Sequence, residues 1–557
     1  MRVVEKKIKR FFYSVLVLVL AFACQNKPIE NSGISKVYEG IEFDMPQVVE
    51  PAFPDFSVSI ADFGAVADGK TINTQAFADA IKHVAGKGGG KVIIPRGIWI
   101  TGPIILKSNI NLHAEAGSLV LFSTNKDLYP LVNASFEGLN TVRCLSPIQG
   151  NDLRNVAITG SGVFDGSGEV WRMVKRSKLT GDQWKKLVAS GGIVDEKGGK
   201  WYPSEGFVKG DRQSKMNVPQ NLKTIKEYEE IKDFLRPVMV SIVNCKEVLL
   251  DGPVFQNSPA WCIHPLMCEN LTVRNLTVRN PWYSQNGDGI DIESCKNTIL
   301  TNCSFDVGDD AICIKSGKDE DGRKRAMPTE NLIVKNCIVY HGHGGLTVGS
   351  EMSGGVKNMH VSACTFMGTD VGLRFKSNRG RGGVVEGIYI SDIDMINIPN
   401  KAISFNLYYG GKSVSEMLPE ITEETPQFKD ISIKNVTCKG AAQAIYLQGL
   451  PEMNLKNILL ENITMETEKG LLCIDATGVT IRNLHLQTNV FPAIALYNSK
   501  NVSVKELVLS ESEKPLISVH GEETEQIHID VHSAADVNSI LEVGHEVNRN
   551  ILKVNTF

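Results

Sequence analysis

A short motif returns along most of the chain, and no other feature limits the possible folds so strongly. A polar residue opens each copy, an apolar/x/apolar run follows, and a second turn residue stands five positions after the first. The copies read Asn155-Val-Ala-Ile-Thr-Gly160, Asn270-Leu-Thr-Val-Arg-Asn275, Asn297-Thr-Ile-Leu-Thr-Asn302 and Asn331-Leu-Ile-Val-Lys-Asn336. They continue as Asn358-Met-His-Val-Ser-Ala363, Asp430-Ile-Ser-Ile-Lys-Asn435, Asn457-Ile-Leu-Leu-Glu-Asn462 and Asn501-Val-Ser-Val-Lys-Glu506. The starts at 270, 297, 331 and 358 lie 27, 34 and 27 residues apart. A second run of small/apolar/x/apolar form follows the copies, as in Gly289-Ile-Asp-Ile, Ala311-Ile-Cys-Ile, Gly345-Leu-Thr-Val, Gly372-Leu-Arg-Phe and Ala402-Ile-Ser-Phe. Alternation with period two gives each run one inward apolar face. Asn tolerates the left-handed corners between runs. Runs that keep register from copy to copy suit stacked coils, whereas a sandwich would lack that register. The fold class expected is all-β, a right-handed parallel β-helix.

Length agrees with that reading. A compact core stops growing near ~250–300 residues, and this chain has 557, with 42% hydrophobic residues. A solenoid grows in one dimension and escapes the limit. A helical stretch, roughly 73–85 with Asn73 or Thr74 as N-cap, would cover its open end. The region from about 167 to 235 breaks the repeat, is charged, and carries Trp171, Trp184, Trp201 and Tyr202. It reads as a long insertion beside a cleft, within a single domain over 56–557. The charge balance, 59 Lys+Arg against 63 Asp+Glu, excludes a nucleic-acid binder read from bulk charge. An acidic partner must be met by a local basic patch.

The N-terminus reads as an address. Lys6, Lys7, Lys9 and Arg10 precede an apolar run from Phe11 to Ala23, too short to span a bilayer comfortably. It ends Leu20-Ala21-Phe22-Ala23-Cys24, which resembles a bacterial lipobox, although Ala21 stands where Leu is usual. The resemblance implies a signal peptide over 1–23, lipidation of Cys24 and a tether over 24–55. It also implies an exported lipoprotein of the outer membrane, facing the periplasm or the cell surface and touching the membrane only through its lipid. An ordinary cleaved signal peptide is the alternative. Setting Cys24 aside leaves eleven of the twelve cysteines, an odd number. Cys303, Cys337 and Cys364 share one repeat position, so stacked free thiols are expected rather than bridges.

Superposing the second runs on Ile290, Ile312, Leu346 and Leu373 assembles a site. Asp288, Asp310, Gly344 and Val371 stand two before these residues, with Asp309 and His343 adjoining. The outward positions after them are Asp291, Cys313, Thr347 and Arg374, then Glu293, Lys315, Gly349 and Lys376. Coils stack ~4.8 Å apart, so three carboxylates, an imidazole and two cations share one lateral face. Singly, each has a plain role as a turn residue or a solvated strand residue. Stacked carboxylates repel one another, and the joint pattern therefore points to chemistry. Crowded like charges raise the pKa of one carboxyl group and so keep it protonated near neutral pH. No His/Cys spacing of a metal site is apparent, and this chemistry needs neither metal nor cofactor.

Asn286-Gly287-Asp288, Gly308-Asp309-Asp310, Gly342-His343-Gly344 and Arg374-Phe375-Lys376 together resemble the four motifs of glycoside hydrolase family 28, the polygalacturonases. Gly287 replaces the usual Thr, and Phe375 the usual Ile; residue 375 points inward by the register. The segment Ala61-Asp-Phe-Gly-Ala-Val-Ala-Asp-Gly69 is similar to the start of many pectin-degrading β-helix enzymes. The resemblance implies Asp309 as general acid, with Asp288 and Asp310 holding and deprotonating the attacking water. His343 would support the acid or bind substrate, and Asn286 would orient the water pair. Arg374 and Lys376 would hold the sugar carboxylate, with Tyr408 or Tyr409 as a sugar platform. It implies inversion, which generally sets the carboxyl groups ~6.5–9.5 Å apart. The partner implied is a pectic poly- or oligosaccharide containing galacturonic acid, met by a monomer. The insertion and the longer turns 317–328 and 408–428 could wall one end of the cleft, which favours removal of terminal residues. An endo-acting or rhamnogalacturonan hydrolase of the same family is the alternative. A pectate lyase and a non-catalytic carbohydrate-binding β-helix are more distant ones.

Overall fold

In the computed structural model, residues 35–410, 418–510, 512, 514–532 and 536–556 are described. The expected signal segment and Cys24 lie outside them. A first unit ends at Ile41, and its described part is a 3-10 turn at Ser35–Tyr38. The second unit, Glu42–Phe557, is a parallel β-helix.

Parallel pairing carries one aliphatic column through the cylinder. Ile104, Ile148, Val240, Ile263, Ile290, Ile312, Leu346 and Leu373 stand in register on successive coils. Ile403, Ile445, Leu471, Ile494 and Ile517 continue the column. All of these residues are buried. Each coil thus covers the apolar face of its neighbour, which is why a chain this long needs no thicker core. Both expected corners are left-handed. Asn155, Asn270, Asn297, Asn331, Asn358, Asp430, Asn457 and Asn501 all have φ between 54° and 58°. Asn275, Asn302, Asn336, Asn435 and Asn462 have φ between 53° and 58° at the second corner. The side chains also ladder: Asn358 donates to Asn331 at 3.1 Å, and Asn331 to Asn297 at 3.0 Å. Asn is therefore favoured twice, by its tolerance of positive φ and by an amide that bonds the coil beneath.

All eleven cysteines among the described residues are buried free thiols. The capping helix is Thr74–Gly86, with Ala76, Phe77, Ala80, Ile81 and Val84 buried. Asn73 holds the N-cap position without a side-chain cap bond. Its amide instead ties the preceding loop, accepting from Val66 N at 2.7 Å and donating to Thr71 O at 2.9 Å.

Residues 42–55 depart from the expected loose tether by lying along the cylinder. Glu42 bonds His360 Nδ1 at 2.7 Å, the Phe43 ring is 6.3 Å from that of Tyr389, and Glu50 pairs with Arg274. The insertion is a small layer of its own, with helices Gly181–Ala189, Glu205–Gln213 and Ile225–Glu229. It packs around Trp171, Tyr202, Phe207 and Phe234. A second excursion is new: an antiparallel hairpin, Leu131–Phe136 with Leu139–Cys144, turning at Glu137 and Gly138 with positive φ at both. Two successive positive-φ residues make the tight turn whose twist matches a hairpin.

Candidate active site

The coils that carry the expected site residues are the strands Ile290–Glu293, Ile312–Lys315, Ile338–Val348 and Thr369–Lys376. Their register is the expected one: Ile290 with Ile312, Ile312 with Leu346, Leu346 with Leu373. Asp288 and Asp310 precede their strands by two residues, so stacking alone brings them together. Glycines make the space. A Cβ on Gly344 would lie 2.8 Å from Asp310 Oδ1, and one on Gly308 2.4 Å from Pro281 O.

Oxygens of Asp288, Asp309 and Asp310 lie within 4.8 Å of one another. Their environments separate them. Burial pushes the Asp288 carboxyl well above its usual range, and the charges of Asp291 and Asp309 push it further. Its Oδ1 is buried without a hydrogen-bond partner. Burial also raises Asp309, but His343 Nδ1 at 3.0 Å reverses the balance and leaves its pKa low. Burial opposes ionisation of Asp310 too, yet Lys376 at 2.7 Å and Arg374 at 2.9 Å hold it far below the usual range. The Asp309 hydrogen bond in turn raises His343. Burial and crowding thus favour the protonated form at Asp288, whereas His343 favours the ionised form at Asp309. Asp288 is 4% exposed and has no cation bonded to it.

Arg374 and Lys376, expected to hold a sugar carboxylate, both bind Asp310. Lys376 is 8% exposed, so its ammonium is largely committed. Arg374 binds Asp310 through Nη1 alone. Asn286, at φ 55°, accepts from Arg236 Nη2 at 2.8 Å. Tyr409, not Tyr408, lines the pocket, with Lys376 at 4.9 Å and Arg374 at 5.5 Å from its ring. Tyr408 turns away to Arg379, 5.0 Å from its ring. The chain leaves its strand at Asn406, whose side chain caps Tyr408 N, while Tyr409 N bonds back to Ser377 O. One residue of turn therefore decides which ring faces the pocket.

The outward positions Asp291, Glu293 and Lys315 are not on a wet face. Asp291 and Glu293 are 0% exposed and Lys315 3%. The Trp261 ring covers Lys315, 4.8 Å from its Nζ. Lys315 bonds Glu351 at 3.0 Å and lies 3.5 Å from Asp291. Glu293 is held by His264 at 2.9 Å and Arg325 at 2.7 Å. Burial pushes Asp291 up to about 7, against the pull of Lys315 and His264. Oxygens of the catalytic trio, or of Asp288 and Asp291 with the Cys313 thiol, could surround one cation. The ammonium and guanidinium already on Asp310 would repel a cation at the trio.

The pocket has a volume of about 300 Å³. One side is the hairpin tip. Gly138 O accepts from Lys318 N at 3.2 Å, and Phe136 packs on Trp261 at 4.7 Å. The insertion buttresses the tip through Asn217, whose amide donates to Glu137 Oε1 at 2.5 Å. Behind the hairpin lies a second cavity of about 990 Å³, floored by Gln149, Ser241 and His264 on earlier coils of the same face. The tip therefore interrupts a groove that the sheet would otherwise carry on. Arg236, Glu137, Asn217, Trp261 and Glu351 all escaped the sequence reading. They lie off the repeat, and contacts distant in sequence give them roles, such as Arg236 with Asn286 and Asn217 with Glu137.

The comparisons agree with this geometry. The model of glycosyl hydrolases family 28 matches residues 173–480, which contain all four motifs. A hyperthermoactive exopolygalacturonase from Thermotoga maritima is 33% identical, with TM-score 0.65, covering 79% of this chain and 93% of its own. An exo-poly-alpha-D-galacturonosidase of Dickeya chrysanthemi is 27% identical over 405 residues, 70% of this chain and 64% of that protein. An endo-polygalacturonase of Pectobacterium carotovorum subsp. carotovorum is 24% identical over 401 residues, 72% of this chain and 83% of that protein. With its motifs on adjacent coils and the matched region spanning more than half its length, the chain belongs to glycosyl hydrolases family 28.

Proposed function

We propose that this glycoside hydrolase cleaves α-glycosidic bonds of galacturonic acid in pectin, with inversion, and works from a chain end. The observation that carries the end-wise reading is the hairpin tip, fastened to Lys318 N and Asn217 and standing across the groove beside Asp288. A polymer cannot lie through that wall, so only a terminal portion fits the pocket. The exo-acting names among the relatives support the same mode.

The trio supplies the chemistry. Asp310, ionised by Arg374 and Lys376, accepts a hydrogen bond from the attacking water. Asp288 is the second group on that water. The one proton of the cluster belongs to all three groups. The short span between their oxygens lets it pass, through a bridging water, from Asp288 to Asp309. Asp309 then protonates the leaving oxygen while Asp288 takes a proton from water. His343 holds the Asp309 carboxyl in place at 3.0 Å. The Arg374 guanidinium has donors beyond Nη1 for a uronate carboxylate, which selects an acidic sugar over a neutral hexose.

Hydrolysis of polygalacturonate tests the activity. New reducing ends should form without the ultraviolet absorbance of an unsaturated product, and Asp309→Asn should slow their formation by about 10²–10⁴-fold. Absorbance growing in step with bond cleavage would make the protein a lyase, and absence of cleavage would leave a binding β-helix. We also propose that the chain is exported, lipidated at Cys24 and monomeric. Metabolic labelling with a radioactive fatty acid, lost in Cys24→Ala, tests the anchor.

A further inference from the structure

Two cations, Arg374 and Lys401, stand on adjacent coils, and Lys401 has no carboxylate partner among the described residues. Lys401 pairs in the ladder with Val371, which pairs with Gly344. It thus occupies the lateral column of Asp310, further from the hairpin. Its ammonium lies 4.7 Å from the centre of the Tyr446 ring. Tyr446 in turn stands in the column of Arg374, through Ser404. No carboxylate among the described residues forms an ion pair with Lys401, and its pKa is lowered by burial and by the charge of Arg374. Neighbouring like charges without a counterion raise the energy of the free protein. An anion placed between them would remove that repulsion.

We propose that Lys401 and Tyr446 form a second uronate site, in which Lys401 holds the carboxylate of a sugar removed from the cleaved bond and the Tyr446 ring carries its face. The site rests on the end-wise reading above: with the hairpin closing one direction, the rest of the polymer must run toward these coils. Tyr446 is fixed for this task, because its hydroxyl donates to Gln448. The half-buried Lys401 already holds its ammonium against the ring, so little side-chain freedom is lost when an anion arrives.

Steady-state kinetics on di-, tri- and tetragalacturonate tests the site. Wild type should gain kcat/KM with length. Lys401→Met should lower kcat/KM on tetragalacturonate about tenfold, the worth of one charge-assisted contact, and change digalacturonate by less than about twofold on the same scale. The loss should fall in KM, Lys401→Arg should restore the length preference, and added salt should shrink the wild-type gain. Equal losses on all lengths, or none, would overturn the site while leaving the hydrolase reading intact. A wild type inactive on every length would overturn both, and melting curves of each variant would separate misfolding from lost contact.

Discussion

Asp288 and Asp310 occupy the same place on adjacent coils yet stand at opposite ends of the pKa range. The difference is made by neighbours: Arg374 and Lys376 reach Asp310, while Asp288 faces other carboxylates. Losing a positioned acid or base lowers rates by about 10²–10⁴-fold. Asp309→Asn should therefore show that fall in kcat with little change in KM, measured on oligogalacturonates. Asp291 allows a different test. Its carboxyl rises from 3.8 to about 7 on folding. Between those values the unfolded chain releases a proton that the folded chain keeps, so stability falls as pH rises through that window. Asp291→Asn removes the group, so its melting temperature should gain on wild type from pH 4 to pH 8. A constant difference would show that Asp291 is ionised throughout. The sequence revealed the carboxylates because they ride on the repeat. It could not reveal that Arg374 and Lys376 serve Asp310 first, since that depends on side-chain reach between coils, nor that Tyr409 rather than Tyr408 meets the pocket.

The hairpin Leu131–Phe136/Leu139–Cys144 is the element that gives the pocket its closed side. Its turn is Glu137-Gly138, without the Asn-Gly or Asp-Gly signature that marks such turns most strongly, and it escaped the sequence reading. Replacing its tip by a short turn should join the pocket to the cavity floored by Gln149, Ser241 and His264. Early digestion products should then include longer oligomers; an unchanged product pattern would place the end-wise control elsewhere. The strands were far more legible. Phe375, expected to point inward, is buried and stacks on Phe405 at 4.3 Å and 3°. Phe405→Ala should destabilise the domain by about 3–5 kcal/mol, read from denaturant unfolding. A loss under about 1 kcal/mol would mean that the neighbouring coils refill the space.

At the scale of the whole molecule, the repeat turns a chain of near-balanced charge into a cylinder that gathers Asp288, Asp310, Arg374 and Lys376 on one face. The period fixed the coil stacking, the corners and the thiol columns, all of which follow from local pattern. The insertion showed itself only as a break in the repeat, while the hairpin and the strap over 42–55 follow from contacts distant in sequence that no local pattern announces. The eleven described cysteines are buried thiols. Reductant should therefore leave the melting temperature unchanged, and a thiol reagent should label them only after unfolding. A fall in melting temperature with reductant would reveal a bridge. The central claim is a three-aspartate site at the closed end of a groove, acting on an acidic polymer from its terminus. Sizing the earliest products from long polygalacturonate tests it most directly. The account predicts one short galacturonate product from the first minutes onward, with the polymer shortening slowly; an early ladder of intermediate oligomers would contradict it.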